Sequence, residues 1–202
     1  MSEAFIVEAV RTPVGRRNGS LSNIHSADLG AHSLKALIER ASIDSSIVED
    51  VIFGCVDTIG SQAGDIARTA WLAAGLSEEV PGTTIDRQCG SSQQALHFAA
   101  QAIMSGTSDV VVAGGVQNMS QIPISSAMLA GREYGFDDPF TGSLGWKKRY
   151  GSGTLSQFKS AQMIAEKWNI SRVDMEEFAL ESHRKALYAI KNGKFQDEIV
   201  SI

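Results

Sequence analysis

The sequence has few of the features that mark membrane or secreted proteins. Its most apolar run, DVVVAGGV at 109–116, is far shorter than the roughly 20 residues that a membrane-spanning helix requires. The N-terminal stretch MSEAFIVEAVRTPVG carries an acidic residue at Glu3 and lacks both the basic start and the small-residue cleavage site of a signal peptide. We therefore expect neither a membrane partner nor secretion.

A basic run is also missing. The 202 residues carry a formal net charge of -5, and no basic stretch is interleaved with aromatic residues. We expect no nucleic-acid partner and attribute the acidic balance to solubility. The hydrophobic content of 43% is ordinary for a globular protein with a sizeable core.

Cysteine is scarce, with only Cys55 and Cys89, too few for a disulfide framework in a chain of this length. We interpret both as reduced thiols and expect a cytoplasmic protein. Cys55 lies within VIFGCV, flanked by strand-forming residues, and is expected in the core. No cluster of His, Cys and Asp has the spacing of metal ligands, so no metal site is predicted.

Short runs rich in Val and Ile alternate with longer helical patterns. Strands are predicted at 4–10, 49–56, 82–89 and 109–116, and helices at 26–40, 65–75 and 91–106. Nearly continuous apolar strands separated by helices are typical of a parallel sheet that is covered on both faces. The predicted fold class is α/β.

The pattern changes between about 121 and 153, where Gly, Pro and Ser are scattered and no period is sustained. A connection this long inside a compact domain usually has a function. A helix is predicted at 160–168, and a capping box from Ser171 to Asp174 starts another that ends at Gly193. The final KFQDEIVSI begins a strand without completing it, so we expect the first part of a longer protein.

Cys89 lies at the predicted junction between the strand at 82–89 and the helix that follows. Unpaired N–H groups and the positive end of the helix dipole at such a junction favour the thiolate form. Gly90, Ser91 and Ser92 leave room for a substrate, and the helix behind them is expected to be buried on most sides. Cys89 is therefore a candidate nucleophile, although a lone cysteine is more often a core residue.

No partner base for this thiol can be identified. A nucleophilic thiol needs a base within hydrogen-bond reach. His97 lies on the same predicted helix, about 12 Å further along its axis, so it is expected to pack or cap instead. His25, His32 and His183 have no motif around them and are expected to be surface or core histidines.

Four stretches together resemble the first half of the thiolases: EAVRTPVGRRNGSL, GDIARTAWLAAGL, CGSSQQALHFAAQAIMSGTSDVVVAGGVQNMS and KFQDEIV. The resemblance covers essentially the whole chain. The forms DRQCGSSQQA and SQFKSAQMIAEKW look more like thiolases that degrade steroid or other bulky acyl-CoA substrates than like short-chain biosynthetic ones.

The resemblance implies a five-layered αβαβα fold of two similar halves, each a mixed sheet with helices. It implies a core half at 1–120, a loop domain at 121–160 that shapes the substrate pocket and contributes to a tetramer contact, and returning helices with the start of a last strand at 161–202. The second half would lie outside this chain. A homodimer or homotetramer is implied.

The implied reaction cleaves a 3-ketoacyl-CoA with coenzyme A as co-substrate and without a permanently bound cofactor. Cys89 occupies the position of the acylated nucleophile, and its backbone N–H that of an oxyanion donor. Gln157 and Phe158 stand where the family places pocket-lining residues, but the surrounding QFKSAQ departs from the family's Met-Gly-x-Thr-Ala-Glu. The family's Asn-Glu-Ala-Phe, Gly-His-Pro and Cys-x-Gly motifs are absent, which agrees with the missing base.

Two alternatives stay open. A condensing enzyme of the same superfamily, working in the biosynthetic direction, would share the cysteine. A non-catalytic subunit that supplies a half-site to a partner chain would need that partner to carry the Gly-His-Pro histidine.

Overall fold

The computed structural model describes residues 3–153 and 155–202. They divide into two compact units. The first comprises the described residues up to Asp137 together with Glu198–Ile202, and the second comprises Asp138–Asp197. No described helix is both long and apolar enough to cross a membrane.

The first unit is built on a three-stranded sheet in which all strands run parallel, as predicted. The spatial order places the first strand in the centre: β2 (Gly82–Ile85), β1 (Asp50–Gly54) and β3 (Val111–Gly115). Phe53 of the central strand aligns with Thr84 on one side and with Gly114 on the other. Parallel strands require long crossover connections, and helices provide them here.

Helices cover both faces of this sheet, which confirms the predicted α/β class. These helices are α1 (Ser26–Ala41), which precedes β1, and the two crossover helices α2 (Ile66–Ala73) and α3 (Ser91–Ser105). Side chains alternate along β1, so Val51 and Phe53 join the core cluster formed with α1 and α2, whereas Ile52 packs against Ala95 and Ala99 of α3.

Between β3 and the end of the first unit at Asp137, the chain forms only short helical turns, in line with the irregular pattern predicted from about 121. In the first unit these are α4 (Ser126–Leu129) and a 3₁₀ turn at Ala130–Tyr134. Two further 3₁₀ turns, Ser45–Ile47 and Gly60–Gln62, occur earlier in the same unit.

The described residues of the second unit, 138–153 and 155–197, form three helices: α5 (Leu144–Tyr150), α6 (Gln157–Lys167) and α7 (Arg172–Lys191). The predicted capping box at the start of α7 is confirmed. The Asp174 N–H donates to Ser171 Oγ at 3.2 Å, and the Ser171 N–H donates to Asp174 Oδ2 at 2.9 Å. The Ser171 hydroxyl also donates to Asp174 Oδ2, at 2.6 Å. This hydrogen bond, and after it the one from the Ser171 N–H, lowers the pKa of the Asp174 carboxyl below its ordinary value.

Two strand predictions at the chain ends are wrong for the described structure. The segment 4–10 is not in a strand, and Phe5, Ile6 and Val7 are 74–85% exposed. The last segment forms a single parallel bridge, between Ile199 and Arg11. Apolar, β-branched residues favour a strand only where a neighbouring backbone pairs with them, and the described residues supply no such neighbour for 4–10.

Candidate active site

Cys89 lies in a tight turn between β2 and α3. The strand ends at Ile85, earlier than predicted, and the chain reverses direction before the helix begins at Ser91. Gln88 adopts a left-handed conformation with φ +47°, which is uncommon for a residue other than glycine. The turn leaves the Cys89 side chain exposed to solvent. The thiol is therefore accessible and sits two residues before the first residue of α3.

Hydrogen bonds hold this turn together. The Gly90 N–H donates to the Arg87 carbonyl and the Ser91 N–H donates to the Gln88 carbonyl, each at 3.1 Å. The Ser91 hydroxyl accepts from the Arg87 N–H at 2.9 Å and donates to the Gln88 carbonyl at 2.5 Å. The sequence pattern indicated Ser91 only as a small neighbour of the thiol and did not predict this role of its side chain.

The start of α3 lies directly on the sheet, and two glycines make this possible. A Cβ on Gly54 of β1 would lie 2.5 Å from the Ser91 carbonyl carbon and closer still to the Ser92 nitrogen. A Cβ on Gly115 of β3 would lie 2.6 Å from the Gly54 carbonyl oxygen and closer still to Ser92 Oγ. Only glycine fits at these contacts. The helix end that carries the turn is thus fixed against two strands.

No N-cap side chain accepts a hydrogen bond at the start of α3, which is the positive end of the helix dipole. The N-cap residue is Gly90, which has no side chain to accept from the first turn. The first-turn N–H groups and the helix dipole therefore favour negative charge at this end of the helix. Cys89, next to that cap, is placed where an anionic sulfur or a developing oxyanion would be stabilised.

The prediction that α3 is buried on most sides is wrong. Its buried residues are Ser91, Ala95 and Ala99, which face the sheet. The larger Leu96 and Phe98 are 45% and 40% exposed, and Met104 is also exposed. The close approach of α3 to the sheet admits only small side chains on the inner face, so the larger apolar ones point away.

Cys55 lies in the opposite environment. It follows the last residue of β1, is 2% exposed, and its Sγ donates to the Val56 carbonyl at 3.4 Å. Burial, with a further contribution from the charges of Asp57 and Asp86, raises the pKa of the Cys55 thiol to about 11. A neutral buried thiol is a poor nucleophile. The prediction that Cys55 is a core residue is confirmed.

The histidines of the first unit are not placed as a base for Cys89. Among the described residues of that unit, no hydrogen bond joins the Cys89 thiol to a histidine. His25 caps α1, accepting from the Ala27 N–H at 3.2 Å. His32 is half-buried, and its Nε2 has no partner among the described residues. His97 on α3 is exposed rather than packed, and His183 is exposed on α7 in the second unit.

A buried polar network beside the sheet was not foreseen. The Asp57 carboxylate, 1% exposed, accepts from the Ser125 N–H at 3.0 Å and from the Ala127 N–H at 2.8 Å, and so caps α4. Gln62 donates to the Asp57 carbonyl at 2.9 Å and accepts from the Asn118 N–H at 2.8 Å. The network ties the loop after β3 to the end of β1.

A cleft of about 640 Å³ also lies in the first unit. Its walls come from the N-terminal segment and from the loop after β3, and they include Arg11, Arg16, Arg17, Asn118, Met119 and Ile124. Arg11 is paired with Glu198, with 2.6 Å between Nη2 and Oε1. Cys89 does not line this cleft.

The sequence around this turn, and nearly all of the rest of the chain, match a known protein family. Residues 4–202 match the family described as "Thiolase, N-terminal domain". The chain belongs to the thiolase N-terminal domain family.

Individual thiolases are similar over the whole chain. A steroid 3-ketoacyl-CoA thiolase of Mycobacterium tuberculosis is 59% identical over 202 residues, 100% of this chain and 50% of that protein. A 3-oxoadipyl-CoA/3-oxo-5,6-dehydrosuberyl-CoA thiolase of Escherichia coli is 39% identical over 100% of this chain and 52% of that protein. A 3-ketoacyl-CoA thiolase of Idiomarina loihiensis is 37% identical, with 50% of that protein covered. The chain spans about half the length of the curated relatives it matches.

The other predicted site residues of this thiolase domain lie in the second unit, whereas Cys89 lies in the first. Gln157 and Phe158 form the first turn of α6, where both are exposed and Phe158 is 90% exposed. Their role in binding the acyl group or coenzyme A stays a prediction. Within the described ranges, no group of three or more His, Cys, Asp or Glu side chains is placed to hold a metal ion.

Proposed function

We propose that this chain is the nucleophile-bearing half of a degradative thiolase, which cleaves a 3-ketoacyl-CoA with coenzyme A into acetyl-CoA and a shortened acyl-CoA. The observation that carries the proposal is the exposed Cys89 in a fixed turn at the start of α3, in a chain of the thiolase N-terminal domain family. Exposure admits substrate, the fixed turn orients the sulfur, and the helix end without a capping side chain favours developing negative charge.

Cys89 is the proposed site of acylation. Its Sγ bonds to C3 of the 3-ketoacyl-CoA and the C2–C3 bond breaks, so that the electron pair leaves with the acetyl-CoA carbon, which takes up the proton lost by the thiol. The sulfur of coenzyme A then bonds to the acyl carbon, the Sγ–acyl bond breaks, and the proton of coenzyme A returns to Cys89. The backbone N–H of Cys89 is a proposed donor to the oxyanion of each step. The base that moves these protons is assigned to the half of the thiolase length that this chain does not span.

The proposed substrate is a bulky, steroid-type 3-ketoacyl-CoA. The support is the 59% identity to a relative named a steroid 3-ketoacyl-CoA thiolase. Coenzyme A is the proposed co-substrate, with no permanently bound cofactor. Gln157 and Phe158 are proposed to contact the acyl group or coenzyme A, within a loop domain at 121–160. The protein is proposed to be cytoplasmic and to act as a homodimer or homotetramer.

The acylation role can be tested in a single turnover of the full-length protein. Acetoacetyl-CoA is mixed with the enzyme without free coenzyme A, and the burst of acetyl-CoA is measured. Cys89→Ala should abolish the burst and lower steady-state thiolysis at least about 10³-fold, as expected for loss of a nucleophile. Cys55→Ala is the matched control and should keep a burst of about one acetyl-CoA per active site. A full burst in Cys89→Ala would remove Cys89 from this role.

Two further measurements test the direction of the reaction and the substrate class. A condensing enzyme should form product from acyl-CoA alone faster than it cleaves 3-ketoacyl-CoA with coenzyme A, which is the reverse of the expected result. A higher kcat/KM for a steroid-derived than for a short straight-chain 3-ketoacyl-CoA would support the proposed substrate class, and the opposite ratio would contradict it.

A further inference from the structure

We propose that Ser91 is a positioning residue for Cys89, which holds the turn that presents the thiol to substrate. The inference deepens the proposed function and rests on it, because it assumes that Cys89 is the acylated nucleophile. Ser91 does not itself touch the reacting atoms in this proposal. It acts by fixing the backbone on either side of the cysteine.

The contacts of the Ser91 hydroxyl reach across the turn. It accepts from the Arg87 N–H at 2.9 Å and donates to the Gln88 carbonyl at 2.5 Å, so one oxygen bonds both residues that precede the cysteine. Ser91 is 4% exposed, so little water reaches the residue to compete for these bonds. Its own backbone is fixed as the first residue of α3, whose end lies on Gly54 of the sheet. The hydroxyl therefore links the turn to a rigid support.

The turn needs such a link because of Gln88. Its φ of +47° is a conformation that residues with a Cβ adopt only when the surroundings hold them there. The second bond of Ser91 ends on the Gln88 carbonyl, at the peptide that leads into Cys89. Loss of that bond would leave the Gln88 carbonyl held by the Ser91 N–H alone, so that Gln88 can relax and move the sulfur. A displacement of about 1 Å at a reacting atom can cost about 10²-fold in rate.

The neighbouring Ser92 provides a matched comparison. It has the same side chain, lies in the same first turn of α3, and is exposed. Its hydroxyl lies against Gly115 of β3 and, within the described residues, makes no hydrogen bond to the turn. Removal of either hydroxyl deletes the same atoms from the same helix end, and only Ser91→Ala deletes the bonds to Arg87 and Gln88.

The test is the single-turnover burst of acetyl-CoA in the full-length protein with acetoacetyl-CoA. Ser91→Ala should keep a burst amplitude near that of the unaltered protein, while the burst rate falls about 10- to 100-fold. In steady state kcat should fall in proportion, with KM changed less than about threefold. Ser92→Ala should match the unaltered protein in rate and amplitude. A merely structural role of Ser91 would lower the amplitude, which counts folded sites, and leave the rate of the remaining sites unchanged.

A second variant covers the case in which Ser91→Ala leaves too few folded sites to measure. Asparagine tolerates the left-handed conformation better than glutamine, so Gln88→Asn should reduce the need for the hydroxyl. The double variant Gln88→Asn/Ser91→Ala should show a measurable amplitude and a rate between those of Ser91→Ala and Ser92→Ala. Where Ser91→Ala gives no amplitude, a double-variant rate below that of Ser92→Ala supports the inference.

The outcomes separate this inference from the proposed function. A burst that persists in Cys89→Ala overturns both. A burst absent in Cys89→Ala, with Ser91→Ala as fast as Ser92→Ala, overturns the role of Ser91 alone. A reduced burst amplitude at an unchanged burst rate in Ser91→Ala also overturns the role of Ser91. If Ser91→Ala has no measurable amplitude, a double variant that is as fast as Ser92→Ala overturns that role as well.

Discussion

Cys55 and Cys89 follow neighbouring strands of the same sheet, but Cys55 is buried and Cys89 is exposed. Cys55 comes directly after β1, is buried, and donates to the next carbonyl, so its thiol stays protonated. Cys89 comes after β2 has ended and a turn has carried the chain outwards to the start of α3. The few residues between strand and helix thus decide whether a thiol is buried in the core or exposed to solvent.

The largest expected difference between the two cysteines is their rate of alkylation. Iodoacetamide at about pH 8 should modify Cys89 at least about 100-fold faster than Cys55, because a buried thiol with a pKa of about 11 is almost entirely protonated at that pH. Mass spectrometry of the two cysteine peptides over time measures both rates. In concentrated urea the two should react alike. Comparable alkylation rates of Cys55 and Cys89 in the native protein would contradict the assigned difference in their burial and the raised pKa of Cys55.

A smaller effect is expected from Gly54, which lies between the two regions: it precedes Cys55 and supports the start of α3. Gly54→Ala should lower the free energy of unfolding by about 1–3 kcal/mol, because the new methyl group would overlap the backbone of Ser91 and Ser92. Gly145→Ala is the control, since a Cβ there meets nothing within 4 Å. Urea unfolding measures both variants. Equal stability of the two would show that α3 can shift away from the sheet at little cost.

The smallest effect is the pH dependence that Cys55 gives to stability. Its pKa is raised from an ordinary 9.0 to about 11, so between these values the folded state holds a proton that the unfolded state loses. The contribution of Cys55 to stability is therefore fully present below pH 9.0 and is lost as the pH rises towards about 11. Urea unfolding of the unaltered protein and of Cys55→Ala should show a stability difference that shrinks over this window. A difference that stays constant would contradict the assigned pKa.

Much of the fold could be predicted from local patterns. The helices α1, α2, α3 and α7 lie within two residues of their predicted bounds at each end, because apolar periodicity and caps such as Ser171 act over short distances. The central strands were found for the same reason. The segment 4–10 has an equally good strand pattern, but the predicted strand does not form. A strand needs a neighbouring backbone to pair with, and a local pattern does not report whether one is present.

The candidate site was predictable in part. A cysteine followed by small residues at a helix start indicated Cys89, and the family motifs strengthened that interpretation. The Ser91 hydrogen bonds were not predictable, since Ser91 and Ser92 look the same in the sequence and differ only in which of them faces the turn. The capping of α4 by Asp57 joins residues 68 and 70 positions apart, and no local pattern reports it.

By itself, the sequence determined the alternation of strands and helices, the family, and the cysteine that is proposed as the nucleophile. These follow from residue spacing and from motifs, which are properties of contiguous stretches. Only the tertiary structure decided which faces of α3 are covered, which glycines support its start, and which serine holds the turn. Those outcomes depend on contacts between residues far apart in the chain, where the shape of one element sets the space left for another.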